Sequence, residues 1–218
     1  MRRHLIVMSM LSCFFVQADA MAECNEQQEA GADLPIAGRG SVHAIACSTS
    51  DGIGTIEIDV VRREKTKATL QTTYESPAYV LTLDTTIAFD AGASQGVGVS
   101  TGRGRDGTGM HYWKIPTTGE SIVDLGDAPS LQPDKFMRGV FSTLVSSAGQ
   151  YQSIRYFYEV KGDRLVPTKA VGFYAKSPQT FVATLMDLLP SGEAVPTRQR
   201  TLSVENANRC MNGKISCW

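Results

Sequence analysis

Tyr151-Gln152-Ser153-Ile154-Arg155-Tyr156-Phe157-Tyr158-Glu159-Val160 is the stretch that decides the fold. In an extended chain Ile154, Tyr156, Tyr158 and Val160 share one face, and Tyr151, Ser153, Arg155 and Phe157 share the other. Aromatic and β-branched residues at this density favour a strand. Lys161-Gly162-Asp163 follows and Leu165-Val166 resumes the apolar pattern, which spells a hairpin. The same alternation puts Ile56, Ile58 and Val60 on one face of 55–60, and 78–83 is similarly β-rich. The stretch 180–188 also reads as β, with a helix as the competing reading between Pro178 and Pro190. Asp51-Gly52, Asp106-Gly107 and Asn212-Gly213 add turn signals, and the 20 glycines and 9 prolines are spread along the chain. Short strands, frequent turns and scarce helical periodicity predict an all-β fold, a single antiparallel β-sandwich or barrel.

The chain has 218 residues, enough for one domain or at most two small ones. Its formal net charge of -1 gives no bulk electrostatic reason to bind nucleic acid or an anionic membrane. The first residues, Met1-Arg2-Arg3-His4, are basic, Leu5 to Val16 carry no charge, and Gln17-Ala18-Asp19-Ala20-Met21-Ala22 ends on small residues. This is the pattern of a secretory signal over 1–22, cleaved after Ala20 or Ala22. The apolar run is short for a bilayer span, which takes about 20 residues. Cys13 offers a lipidation site, disfavoured because the apolar run continues past it. Residues 23–40 read as an irregular lead-in and 41–218 as one β domain, exported to the periplasm.

Cleavage leaves Cys24, Cys47, Cys210 and Cys217. Four cysteines in an exported chain suggest two disulfides. Three connectivities are possible, and sequence does not choose among them. Local pairing, Cys24 with Cys47 and Cys210 with Cys217, closes the shortest loops and is the expectation. On a chain-entropy argument the two bonds contribute about 3.4 and about 2.5 kcal/mol. A zinc site is the weaker reading, because no Cys-x-x-Cys pair exists and His43 and His111 are the mature histidines.

Two motifs invite enzymatic readings. Gly102-Arg103-Gly104-Arg105-Asp106-Gly107 spells G-x-G-x-x-G, but a strand-like stretch, 109–115, follows where a dinucleotide site needs a helix. A glycine-rich turn is the expectation, with Arg103 and Arg105 solvated. Gly98-Val99-Ser100-Thr101-Gly102 spells a nucleophile elbow without the strand-turn-helix that an elbow requires. Ser100 and His111 lack any visible triad geometry, and His43 reads as a strand residue. Asp84 and Asp90 bracket a short segment, and Asp124 and Asp127 flank Gly126. Asp84 and Asp90 are the weak candidates for calcium, but the segment between them lacks the density of acidic ligands a calcium loop needs. No cofactor, metal or catalytic residue is expected.

A run of short motifs between about 55 and 173 has a recognisable order. Leu70-Gln71-Thr72 ends a strand; Phe89-Asp90-Ala91-Gly92, Tyr112-Trp113 and Asp124-Leu125-Gly126-Asp127-Ala128-Pro129-Ser130-Leu131 follow. The Ser/Gly loop Ser146-Ser147-Ala148-Gly149-Gln150-Tyr151 then leads into the strand-turn-strand from Tyr156 to Val166. This order resembles that of periplasmic lysozyme inhibitors of the i-type-inhibitor-like fold and related immunity proteins against wall-degrading toxins. The resemblance implies a Ser/Gly loop ending in Tyr that enters a muramidase cleft, with Ser147, Gly149 and Tyr151 in the matching positions. Ala148 departs from the family's common Gly. Some members carry a calcium loop around Asn-Phe-Asp-Gly; here Ala88 replaces Asn and Ala91 precedes Gly92, so weak or no calcium binding is expected.

The residues themselves support a binding role. The loop at 146–150 is small and polar and belongs on the surface. Tyr151 has the profile of an interface anchor. Arg155, on the same strand face, is expected to pair with an acid of the partner. The leading expectation is a protein that inhibits a peptidoglycan-cleaving enzyme, a lysozyme or an interbacterial toxin, through Ser147, Gly149, Tyr151 and Arg155. The alternative is a periplasmic glycan- or envelope-binding module. The bland reading of Tyr151 is that its ring packs on its own sheet.

Overall fold

The computed structural model describes residues 24–34, 40–62, 65–75, 80–104, 107–116, 121–149 and 151–218. The signal-peptide reading of 1–22 lies outside them, as do Arg105, Asp106, Gln150 and the side chains of Arg103, Ser147 and Ala148. The chain is mostly β, in three antiparallel sheets laid down in sequence order. The first is a meander of β1 (Glu26–Asp33), β2 (Gly40–Ser48), β3 (Ile53–Arg62) and β4 (Lys65–Glu75). The second holds β5 (Leu83–Asp84), β6 (Ala88–Phe89), β7 (Ser94–Gly104), β8 (Gly107–Ile115) and β9 (Val123–Pro129), ordered β5-β7-β8-β9 with β6 also on β7. The third runs consecutively through β10 (Gln132–Pro133), β11 (Val140–Ala148), β12 (Tyr151–Lys161), β13 (Arg164–Ser177), β14 (Thr180–Leu188) and β15 (Ala194–Ser203). One short helix, α1 (Val204–Met211), follows.

The expected β character holds, and β14 resolves the helix-or-strand ambiguity at 180–188 in favour of strand. Lys161 pairs with Arg164 across Gly162-Asp163, with Gly162 at φ 61°, which is the predicted hairpin. One boundary needs correction. The lead-in expected to be irregular contains β1, which pairs with β2 along its whole length. Its inward face carries Glu26, Gln28, Ala30 and Ala32, and the two polar side chains bond to main chain beyond the sheet. Glu26 accepts from the N–H of Leu81, while Gln28 donates to the carbonyl of Leu81 and accepts from the N–H of Leu83. Those bonds satisfy backbone groups that no strand partner reaches.

The middle sheet is buried on both faces. Val97, Val99, Trp113 and Ile115 pack against Val42, Ile56, Ile58 and Val60 of the first sheet. Met110, Tyr112 and Leu125 pack against Phe141 and Tyr158 of the third. Burying each such side chain contributes roughly 1.5–3 kcal/mol. This is why β7 reads Gly-Val-Gly-Val: the valines fill one layer and the glycines make room in the other. A Cβ on Gly98 would stand 2.6 Å from Cε1 of Tyr112. That ring cannot swing away, because it is buried and its hydroxyl accepts the N–H of Leu131 at 2.9 Å. Gly98→Val is therefore expected to destabilise the protein by about 1–3 kcal/mol. An unchanged urea midpoint would show that the Tyr112 layer yields freely.

Candidate functional site

The hairpin of β11 and β12 carries the predicted partner-binding loop. Its last register pair is Ala148 with Tyr151, and Gly149 stands beyond it at the turn. Gly149 is exposed and sits at φ 59°, a left-handed conformation that costs glycine nothing. Ser146 and Leu144 are exposed on the strand leading to the turn.

Tyr151 is half-buried. Its ring covers Gly172, where an added Cβ would come within 2.6 Å, and lies 6.4 Å from the ring of Tyr174. It packs with Ile154, Ala170 and Met186. The packing on its own sheet, the bland reading of this residue, is thus present. The phenol hydroxyl, however, has no hydrogen-bond partner among the described residues. The side chain is held at one end and uncommitted at the other.

Arg155 requires a correction. Strand parity places it beside Tyr151 on an open face, but Arg155 is buried beneath α1 and the C-terminal segment. Nη2 donates to Asp134 Oδ2 at 2.8 Å and to Ser142 Oγ at 2.9 Å. Nη1 donates to the carbonyl of Cys210 at 2.9 Å, and the guanidinium lies 5.0 Å over the Phe157 ring. Burial pushes its pKa down, and the charge of Asp134 opposes that shift. Its donors point inward, so Arg155 ties β11, β12 and α1 together and presents no charge to a partner. The Tyr151 ring meanwhile leans to the Ile154 side of the sheet.

The disulfides are Cys24–Cys47 and Cys210–Cys217. They assign the chain to an oxidising, extracytoplasmic compartment. Asp84 accepts from the N–H and hydroxyl of Thr86, and Asp90 accepts from Ser94 Oγ at 2.7 Å and faces Lys114 Nζ at 3.5 Å. Among the described residues no three His, Cys, Asp or Glu side chains group to hold a metal, and no helix is long and apolar enough to cross a membrane. Ser100 pairs with Met110, and His111 with Val99, so Ser100 and His111 point to opposite faces of the middle sheet. Ser100 Oγ accepts the N–H of Thr82. His111 is held between Asp127 at 2.7 Å and Asp124 at 2.8 Å, beside Trp113. The G-x-G-x-x-G motif spans the β7–β8 hairpin, where Gly104 pairs with Gly107. His43 is a strand residue bonded to Glu29.

Sequence reasoning missed Asp134 and Trp218. Asp134 gave no signal, since one Asp in a loop is unremarkable. Trp218 had one: an aromatic beside a cysteine that is disulfide-bound cannot wander far from the core.

The chain matches no protein-family model and no curated protein. Among solved structures it is similar to a Xanthomonas protein described as type IV secretion system related. The two share 16% identity over 81% of this chain and 96% of the other, at a TM-score of 0.44.

Proposed function

We propose that this is a periplasmic binding protein that blocks a peptidoglycan-cleaving enzyme with the β11–β12 hairpin and performs no chemistry of its own. The observation that carries the reading is Tyr151, whose ring is fixed on Gly172 while its hydroxyl has no partner among the described residues, beside an exposed Gly149. A pre-positioned tyrosine loses little entropy on docking, which is what an interface anchor needs. The motif order shared with lysozyme inhibitors supports the same loop. Ser147 supplies a hydroxyl donor toward a catalytic carboxylate, the group that two-carboxylate glycosidases expose. Arg155 plays no part in contact.

The purified mature protein is expected to inhibit at least one enzyme in a panel of muramidases. Tyr151→Ala should weaken that inhibition about thirtyfold, the loss of roughly 2 kcal/mol at a hot spot. Ser147→Ala should weaken it less. Thermal unfolding of both variants is measured alongside. Equal inhibition by wild type and Tyr151→Ala would remove the hairpin from the mechanism. The Tyr151–Tyr174 pair also suits a sugar ring, so failure to inhibit any enzyme together with retention on insoluble peptidoglycan supports the glycan-binding reading instead.

A further inference from the structure

A cavity of about 270 Å³ opens on the α1 side of the third sheet. Phe157 of β12, Lys169 of β13 and Leu185 of β14 form its floor, and Trp218 closes it from the C-terminal segment. Phe136 and Met137 stand at the rim, 49% and 38% exposed. These two are large apolar residues turned toward solvent, and their position is built in. Asp134 Oδ1 accepts the N–H groups of both, at 2.8 and 2.9 Å, while its other oxygen is held by Arg155. Cys217 is bonded to Cys210, which keeps Trp218 next to the cavity.

Two polar groups at this apolar site are unused. The indole N–H of Trp218 is buried without an acceptor among the described residues. Lys169 is exposed and has no ion pair among the described residues. The Asp134–Arg155 pair is neutral as a unit, and Asp187, the cross-strand neighbour of Lys169, does not line the cavity. An apolar hollow with an unpaired donor inside and, at its mouth, a lysine that has no ion pair among the described residues has the composition of a small-ligand site. We propose that it binds a small amphiphilic anion, an apolar chain or ring bearing one carboxylate. The apolar part lies against Phe157, Leu185 and Trp218, and the acid meets Lys169. This site stands independently of the hairpin and of the inhibitor reading.

Decanoate and decanol, each below its aggregation concentration, are the probes, titrated by calorimetry and by the change in tryptophan emission. One decanoate should bind per chain and shift that emission, with decanol weaker by about tenfold. Lys169→Met should bring decanoate down to the decanol level and leave decanol unchanged. Leu185→Trp, which fills the hollow, should abolish both. Because that variant disturbs packed residues, the rim change Met137→Asp provides a second check, and should weaken decanoate by about tenfold through charge repulsion. Absence of saturable decanoate binding to the wild type overturns the proposal. So does equal affinity for acid and alcohol, or decanoate binding that neither Lys169→Met nor Met137→Asp alters.

Discussion

Replacing Arg155 with alanine is expected to cost about 3–5 kcal/mol of folding stability, because it strips the partner from a buried charge. The side chains of Arg155 and Asp134 are 5% and 2% exposed. Removing the guanidinium leaves one Asp134 oxygen and the Ser142 hydroxyl without their donor, while the Cys210 carbonyl keeps only the N–H of Gly213, and the Asp134 carboxylate they surround is almost wholly buried. It also uncovers Phe157, over which the guanidinium lies. The double variant Arg155→Met with Asp134→Asn should recover part of the loss, since the uncompensated charge is then gone and the methionine keeps most of the volume. Urea unfolding of both single variants and the double variant gives the coupling between them. A loss below about 1 kcal/mol for Arg155→Ala would mean that the pair behaves like a surface ion pair. Inhibition by folded Arg155 variants, in contrast, should match the wild type.

The case of Arg155 shows where sequence reading stops. Alternation along β12 was legible, and it correctly separates Tyr156, Tyr158 and Val160 from Phe157. Alternation says which residues share a face, and nothing about what covers it. The face of Arg155 is covered by α1, whose signals were present but short. Ser203 caps it by accepting the N–H of Asn206, Glu205 lies in the first turn and Arg209 in the last, and Ala207 and Cys210 are buried. An eight-residue helix is too brief for periodicity to stand out against flanking strands. Tyr151 departs from strand parity for another reason: Gly172 leaves a hollow in the neighbouring strand, and the ring fills it.

β1 was illegible for the opposite cause. Glu26-Gln27-Gln28-Glu29-Ala30-Gly31-Ala32-Asp33 lacks every strand-favouring residue type, and its strand state is imposed by the register with β2. Its pairing to β2 and the bonds from Glu26 and Gln28 hold it, together with one covalent tie at its start.

That tie makes the second large effect calculable. Cys24→Ser with Cys47→Ser is expected to lower stability by about 3.4 kcal/mol, against about 2.5 for the shorter loop closed by Cys210 and Cys217. The bond fixes the end of an edge strand that has little apolar surface of its own, so little else opposes fraying once it is cut. Fraying should not stop at β1. Withdrawing Glu26 and Gln28 leaves the N–H of Leu81 and of Leu83 without acceptors, and Leu81 is a fully buried member of the first core layer. Amide exchange at Leu81 and Leu83 should therefore quicken in step with the β1 amides, while Val97 and Val99 in the middle sheet follow only global unfolding. If the double variant keeps the wild-type urea midpoint, the crosslink carries no entropic load. If Leu81 and Leu83 stay protected while β1 exchanges freely, water or a neighbouring group has replaced the side-chain acceptors, and β1 is not what closes that edge of the core.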